Sequence, residues 1–119
     1  MRERSLYQMF HQRIVKADPN CYFYKIPDTH KLGGKKPFDS FLILRGIPFA
    51  IEFKMKGGKV TAYQDVHLDM FVVAGGQSRV FTYGENDFDE FIESLMQTVN
   101  MCNLKQQPLF KTIQKGGTQ

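Results

Sequence analysis

Residues 37–54 read PFDSFLILRGIPFAIEFK, and this stretch contains two mainly apolar segments separated by Arg45-Gly46. Both segments are short and rich in β-branched and aromatic residues, a composition typical of β-strands. A two-residue turn between two such segments predicts an antiparallel hairpin. We therefore expect one strand over residues 39–44 and the next over residues 47–55.

The register of this hairpin brings charged side chains together. If Leu44 pairs with Ile47, the same register sets Asp39 opposite Glu52, with Cβ atoms about 4.5–5.5 Å apart. Lys54 lies on the face of Glu52, because strand side chains alternate between the two faces of a sheet. Two carboxylates at this distance repel each other unless a positive charge lies between them.

A divalent cation is the natural partner of this carboxylate pair. Magnesium binds one or two carboxylates, keeps several waters and takes further oxygens from phosphate, so the pair suits phosphodiester hydrolysis. Lys54 would orient or activate the attacking water. Manganese stays open, since hard oxygen ligands accept both metals. The alternative is a surface carboxylate pair that Lys54 relieves as a salt bridge.

Charge is distributed unevenly along the chain, whose net charge is +4. Residues 25–59 contain eight Lys or Arg against three acids, whereas residues 60–104 contain one base against seven acids. A concentrated basic segment suits a polyanion such as nucleic acid, although a solvated surface has the same pattern. The lysines on both sides of the carboxylate pair are the predicted DNA-binding residues, namely Lys31, Lys35, Lys36, Lys56 and Lys59.

The rest of the chain completes the order αβββαβα. Apolar residues at helical spacing predict helices over residues 2–17 and 61–74 and a last helix from about Asp87. Strands are predicted over residues 21–26 and 78–83. This order indicates an α/β fold with a mixed central sheet flanked by helices. We assign residues 1–102 to a single domain and residues 103–119 to a loosely ordered tail.

Two polar residues fall on helix stripes that are otherwise apolar. Glu3 leads the stripe of the first helix, where it would face the metal or, alternatively, favour the helix dipole. Gln64 leads the stripe of the second helix, so it would point over the sheet toward Glu52, or else act as a capping residue. On the first strand we interpret Tyr22, Phe23 and Tyr24 as core residues, with a dimer contact as the alternative.

Several classes of protein are excluded by composition. No uninterrupted apolar segment approaches the roughly 18 residues that cross a bilayer, so no membrane association is expected. Cys21 and Cys102 have neither CxxC spacing nor a nearby His cluster, which argues against a zinc site or a disulfide framework. These features favour a cytoplasmic protein.

The chain from Glu3 to Leu95 resembles the PD-(D/E)XK nuclease superfamily, whose restriction-endonuclease-like core is an αβββαβ unit. The Asp39 strand, the Glu52-Phe53-Lys54 sequence and Gln64 are similar to those of small stand-alone Holliday-junction resolvases and VRR-NUC domains. The resemblance implies that Asp39, Glu52 and Glu3 bind magnesium and that Lys54 and Gln64 support catalysis.

The function implied is that of a magnesium-dependent DNA endonuclease, structure-selective for Holliday junctions, active in DNA recombination or repair and encoded by a bacterium or phage. A short chain without a separate reader domain favours recognition of branched DNA, and a homodimer would cut paired strands. Three alternatives stay open: a general, flap or nicking nuclease of the same fold, a non-catalytic nucleic-acid-binding module, and a protein-interaction domain that uses the acidic segment.

Overall fold

The computed structural model describes the backbone of residues 3–28 and 35–117 and the side chains of residues 5–28 and 35–105. Its element order is αβββαβα, as the sequence predicts. Apart from the end of the last helix, each predicted helix or strand boundary lies within one residue of the observed one. The elements are α1 (Glu3–Ala17), β1 (Tyr22–Lys25), β2 (Ser40–Leu44), β3 (Ile47–Met55), α2 (Ala62–Val73), β4 (Gln77–Tyr83) and α3 (Phe88–Gly117).

The four strands form one mixed sheet in the order β1-β2-β3-β4. β2 is antiparallel to both β1 and β3, and β4 is parallel to β3. A parallel neighbour requires a crossover connection, and α2 supplies it. The predicted α/β fold with helices flanking a mixed sheet is confirmed.

The hairpin between β2 and β3 has the predicted register. Leu44 pairs with Ile47, and the ladder continues without a slip to Ser40 opposite Ile51. At the turn, both Arg45 (φ 48°) and Gly46 (φ 86°) have positive φ, the condition for the type I′ turn that matches strand twist. The tight turn therefore fixes which residues of the two strands face each other.

The main hydrophobic core lies between the sheet and helices α1 and α3. Phe10 of α1 is fully buried, and its ring contacts those of Phe23, Phe53 and Phe91. The apolar stripe predicted for the last helix contributes Leu95 and other buried residues to the same cluster.

A smaller cluster lies on the opposite face of the sheet, beneath α2. It is centred on Phe38, Ala50 and Leu68, with Phe71 packed against it. Val72 follows Leu68 by four residues, a spacing that predicts burial on the same stripe of this helix, but it is exposed. Leu68 is the only buried residue of α2, so the helix contacts the sheet through a narrow strip.

The first strand differs in part from the interpretation of its aromatic residues. Phe23 packs against the main core, but Tyr22 and Tyr24 are 56% and 46% exposed. They alternate with Phe23 and therefore lie on the sheet face opposite the main core. Their interpretation as core residues was wrong, because α2 contacts β4 and leaves this part of the sheet face uncovered.

The last helix is longer than the sequence indicates. The backbone of residues 103–117 is helical within α3, where the sequence predicts a loose tail. The domain boundary at residue 102 stays a prediction. Both cysteines are free. Within the described part of the chain, no helix has the length and apolar character needed to cross a membrane.

Candidate active site

Asp39 lies immediately before β2 and is 3% exposed. Its backbone carbonyl accepts a hydrogen bond from the N–H of Ile26 at 2.8 Å, which extends the β1–β2 ladder by one residue pair. Its Oδ2 accepts a hydrogen bond from the backbone N–H of Phe53, also at 2.8 Å. The carboxylate is therefore held across the sheet against the backbone that follows Glu52.

Glu52 lies in the middle of β3 and is completely buried. Its Oε1 accepts a hydrogen bond from Nε2 of Gln64 at 3.0 Å and lies 3.6 Å from Nζ of Lys54. Its Oε2 has no hydrogen-bond partner among the described residues, although it is buried. An unsatisfied buried carboxylate oxygen is costly, and this one is therefore open to a ligand.

Gln64 occupies the third position of α2 and is fixed from both ends. Its Oε1 accepts a hydrogen bond from the backbone N–H of Thr61, while Oγ1 of Thr61 accepts one from the N–H of Gln64, a reciprocal capping box. Because the amide oxygen is committed to the helix cap, the amide nitrogen must turn toward Glu52. The capping role and the role beside Glu52, which the sequence leaves as alternatives, are thus combined in one side chain.

Without a bound cation, the surroundings of Glu52 favour its protonated form. Burial, with a smaller contribution from the adjacent charge of Asp39, raises the pKa of Glu52 to about 8. The positive charges of Lys54 and Lys36 act in the opposite direction but do not cancel these effects. Two adjacent carboxylates in a dry site resist losing both protons, and a nearby cation removes that resistance.

Lys36 is bound inside the site, although the sequence groups it with the DNA-binding lysines. Its Nζ lies 3.0 Å from Oδ1 of Asp39 and 2.9 Å from Oδ1 of Asp28, and its side chain is 18% exposed. Burial opposes its charge, but the hydrogen bonds to Asp28 and Asp39 outweigh burial and raise the pKa of Lys36. The sequence reasoning missed Asp28, and the signal available was a lone acid in a basic loop.

None of the other described lysines that are predicted to bind DNA is buried with the carboxylate pair. Lys35, Lys56 and Lys59 are exposed, and the ammonium of Lys35 lies 5.7 Å from the ring centre of Tyr63. Lys31 lies outside the described residues, as does the side chain of Glu3. Of the predicted site, the structure therefore brings together Asp39, Glu52, Lys54 and Gln64, whose catalytic roles stay predictions.

The donor set offers two carboxylates, those of Asp39 and Glu52, to a hard divalent cation. No group of three or more His, Cys, Asp and Glu side chains is arranged to hold a metal among the residues whose side chains the structure describes. The pair of Asp39 and Glu52 nevertheless supplies two carboxylates, one of them with an unpartnered oxygen. Magnesium often binds proteins through one or two carboxylates and completes its shell with water and phosphate. The residues present fit such a site.

A solved structure described as a "VRR_NUC domain" is similar to this chain. The similarity covers 82% of this chain and 97% of that chain, with a TM-score of 0.55 and 17% sequence identity. This chain therefore has a VRR-NUC-like α/β fold, in agreement with the resemblance read from the sequence. No protein-family model matches the chain, and no curated protein matches it.

Proposed function

We propose that this protein is a magnesium-dependent DNA endonuclease that hydrolyses phosphodiester bonds. The observation that carries the proposal is the buried pair of Asp39 and Glu52, with Lys54 beside it, on a VRR-NUC-like fold. Buried carboxylates are rare without a partner, and this pair leaves one oxygen unsatisfied. A site of this kind lowers the stability of the protein. Such sites are commonly retained because they bind a ligand or take part in catalysis.

Asp39 and Glu52 would hold the cation, with Glu3 as a third ligand if its side chain reaches the site. When bound, magnesium supplies Lewis-acid chemistry that lowers the pKa of water and stabilises charge on a phosphate. Lys54 orients the attacking water from the same face of β3. Gln64 holds Glu52 in position through an N–H donor that cannot turn away from it. Manganese is the alternative cation, since it accepts the same oxygen ligands.

The DNA backbone would reach the site from the side of the exposed lysines. Lys56 and Lys59 lie in the segment that follows the end of β3, close in the chain to Lys54. Lys35 precedes Asp39 in the chain. Ammonium groups in such positions neutralise phosphates and release counterions, which makes binding salt-dependent but independent of sequence. Lys31 belongs to the same proposal, while Lys36 is engaged with Asp28 and Asp39.

We propose further that the substrate is branched DNA, such as a Holliday junction, and that the protein is a homodimer that cuts paired strands. An exposed apolar surface supports the dimer. On α2, Val66, Met70 and Val73 are exposed along the side that faces away from the sheet, and Tyr22 and Tyr24 are exposed on β1. Large exposed apolar surfaces commonly mark the places where a protein binds a partner.

The first test is cleavage of a labelled four-way junction against a linear duplex of matched length and ends, with and without magnesium. Glu52→Gln keeps the shape of the site and should reduce cleavage by more than about a hundredfold, since even residues that only support a metal ligand contribute 10–100-fold. Glu93→Gln on α3, an exposed residue remote from the pair, is the matched control and should cleave like the wild type.

Paired, magnesium-dependent cuts in the junction alone, together with a dimeric mass by light scattering, would support the full proposal. Equal cutting of both substrates would leave a nuclease of this fold without junction selectivity. Tight binding with no cutting under magnesium or manganese would contradict catalysis and indicate a non-catalytic nucleic-acid-binding module.

A further inference from the structure

Lys36 differs from the lysines around it. Lys35, its neighbour in the chain, is exposed, as are Lys56 and Lys59, whereas the Lys36 side chain is 18% exposed and lies between two carboxylates. Both of its contacts, to Asp28 and to Asp39, are within hydrogen-bond distance. A lysine held in this way is not available to bind a phosphate, so its place in the site needs another explanation.

The contact with Asp39 occupies the oxygen that faces away from the backbone of β3. Oδ2 of Asp39 is held by the N–H of Phe53, and Oδ1 is held by the ammonium of Lys36. A divalent cation shared between Asp39 and Glu52 would bind an Asp39 oxygen and would then lie close to that ammonium. The two positive charges would repel each other strongly in a buried site.

The contact with Asp28 offers the Lys36 ammonium a second carboxylate when it moves away from Asp39. Asp28 already lies 2.9 Å from Nζ of Lys36, and its side chain is 59% exposed, whereas that of Asp39 is 5% exposed. A lysine has a flexible stem and three rotatable donors, so a small rotation can lengthen one contact and keep the other. An ion pair with the more exposed carboxylate also needs less compensation from the protein.

We infer that Lys36 is a positioning residue that acts as the internal counter-ion of Asp39 and competes with the divalent cation, and that Asp28 retains the Lys36 ammonium when the cation binds. The inference rests on the proposed function, since it assumes that Asp39 and Glu52 bind the cation. The ammonium and the cation are then linked: whatever holds Lys36 on Asp39 weakens cation binding, and whatever draws it to Asp28 strengthens cation binding.

The test is calorimetric titration of the full chain with Mn²⁺ alone, together with thermal unfolding without divalent cations. Lys36→Met removes the competing charge and should tighten Mn²⁺ binding by about 5–150-fold, the usual range for coupled sites. The same variant should unfold at a lower temperature without cation, because the carboxylate pair loses its counter-ion. Asp28→Asn removes the alternative partner and should weaken Mn²⁺ binding. Lys16→Met, the matched control at an exposed lysine of α1, should bind like the wild type.

The opposite signs of the two variants separate this role from a purely structural one. If Lys36 only supported the shape of the site, both variants would weaken binding, and that result would overturn the inference. Unchanged binding in Asp28→Asn would also overturn it. Asp28 is an exposed residue, so this variant keeps the test decisive should Lys36→Met fail to fold.

Failure of the proposed function gives a different result. If neither the wild type nor any variant binds Mn²⁺, the metal site itself is absent and the inference falls with it. If the wild type binds and Lys36→Met binds more weakly, the metal site stands and only the role of Lys36 is rejected. Binding that appears in Lys36→Met but not in the wild type supports the inference, since it shows the competition directly.

Discussion

The two faces of the sheet are built in opposite ways. The face toward α1 and α3 carries Phe49, Ile51 and Phe53 of β3, which belong to the main hydrophobic core. The other face carries Ala50, Glu52 and Lys54 of the same strand, and its own apolar cluster is small. Alternation along one strand thus separates a dry core from a charged site by the thickness of a single sheet.

The apolar face stabilises the fold, and the other face carries the candidate active site. Apolar burial on the first face stabilises the fold, because each large side chain removed from water contributes to the free energy of unfolding. The buried carboxylate pair on the second face opposes folding, since ionised groups lose their hydration there. The rigid first face therefore holds an unfavourable arrangement in place on the second. Removing a large apolar side chain from the first face should lower stability, whereas neutralising Glu52 on the second face should raise it.

The largest effect is expected on the apolar face. Phe10→Ala removes a fully buried ring that contacts three other aromatic rings, and it should lower the free energy of unfolding by about 3–5 kcal/mol. Chemical denaturation followed by circular dichroism measures this loss. Val15→Ala on the same helix changes an exposed residue and should cost less than about 1 kcal/mol. Similar costs for the two variants would contradict the comparison.

The charged face should show the reverse sign and a dependence on pH. The pKa of Glu52 is about 8 in the folded protein, against an ordinary value of 4.5. The folded state therefore holds this proton more tightly than the unfolded state does, and its stability should fall as pH rises from about 4.5 to 8 and then level off. Glu52→Gln should remove this decline and be more stable than the wild type at pH 8.

Unfolding at several pH values in the presence of a chelator tests this expectation. Glu93→Gln serves again as the matched control and should keep the wild-type decline, because Glu93 is exposed. Adding magnesium to the wild type at pH 8 should recover stability, since a bound cation compensates the two carboxylates. Parallel pH curves for the wild type and Glu52→Gln would show that the buried carboxylate does not carry the effect.

The smallest effect is expected at Gln64, which joins the two regions through the helix cap. Gln64→Ala should cost about 1 kcal/mol of stability, a usual value for a lost cap, and should lower metal affinity by about 10–100-fold because Glu52 loses its donor. Gln64→Met keeps the length of the side chain but has neither acceptor nor donor, so it should lose the cap and the affinity alike. Gln97→Ala, an exposed glutamine on α3, is the control. Full affinity in both Gln64 variants would exclude its role in holding Glu52.

The sequence predicted most of the carboxylate site because local rules determine it. The turn at Arg45-Gly46 fixes the hairpin register, and a fixed register places Asp39 and Glu52 together whatever packs above them. Gln64 could be assigned to the same face because it begins the apolar stripe of α2. The two hypotheses for Gln64 could not be separated, since the capping contact and the Glu52 contact depend on how α2 lies across the sheet.

The contacts of Lys36 and the exposure of Tyr22 and Tyr24 could not be predicted from sequence patterns. Charge counting treats Lys36 like Lys35, because both lie in the same basic segment. Their difference appears only when the chain before Asp39 brings Asp28 within reach of one of them. The two tyrosines have strong strand propensity, but propensity does not report which part of a sheet face a helix will cover.

By itself, the amino-acid sequence determined the order of the elements, the hairpin register and the meeting of two carboxylates, because these follow from backbone geometry and side-chain alternation over short distances. The tertiary structure alone decided that Glu52 is completely buried with an unsatisfied oxygen and that Lys36 neutralises Asp39. Burial and ion pairing depend on which distant segments pack together, and the charge state of the site follows from that packing.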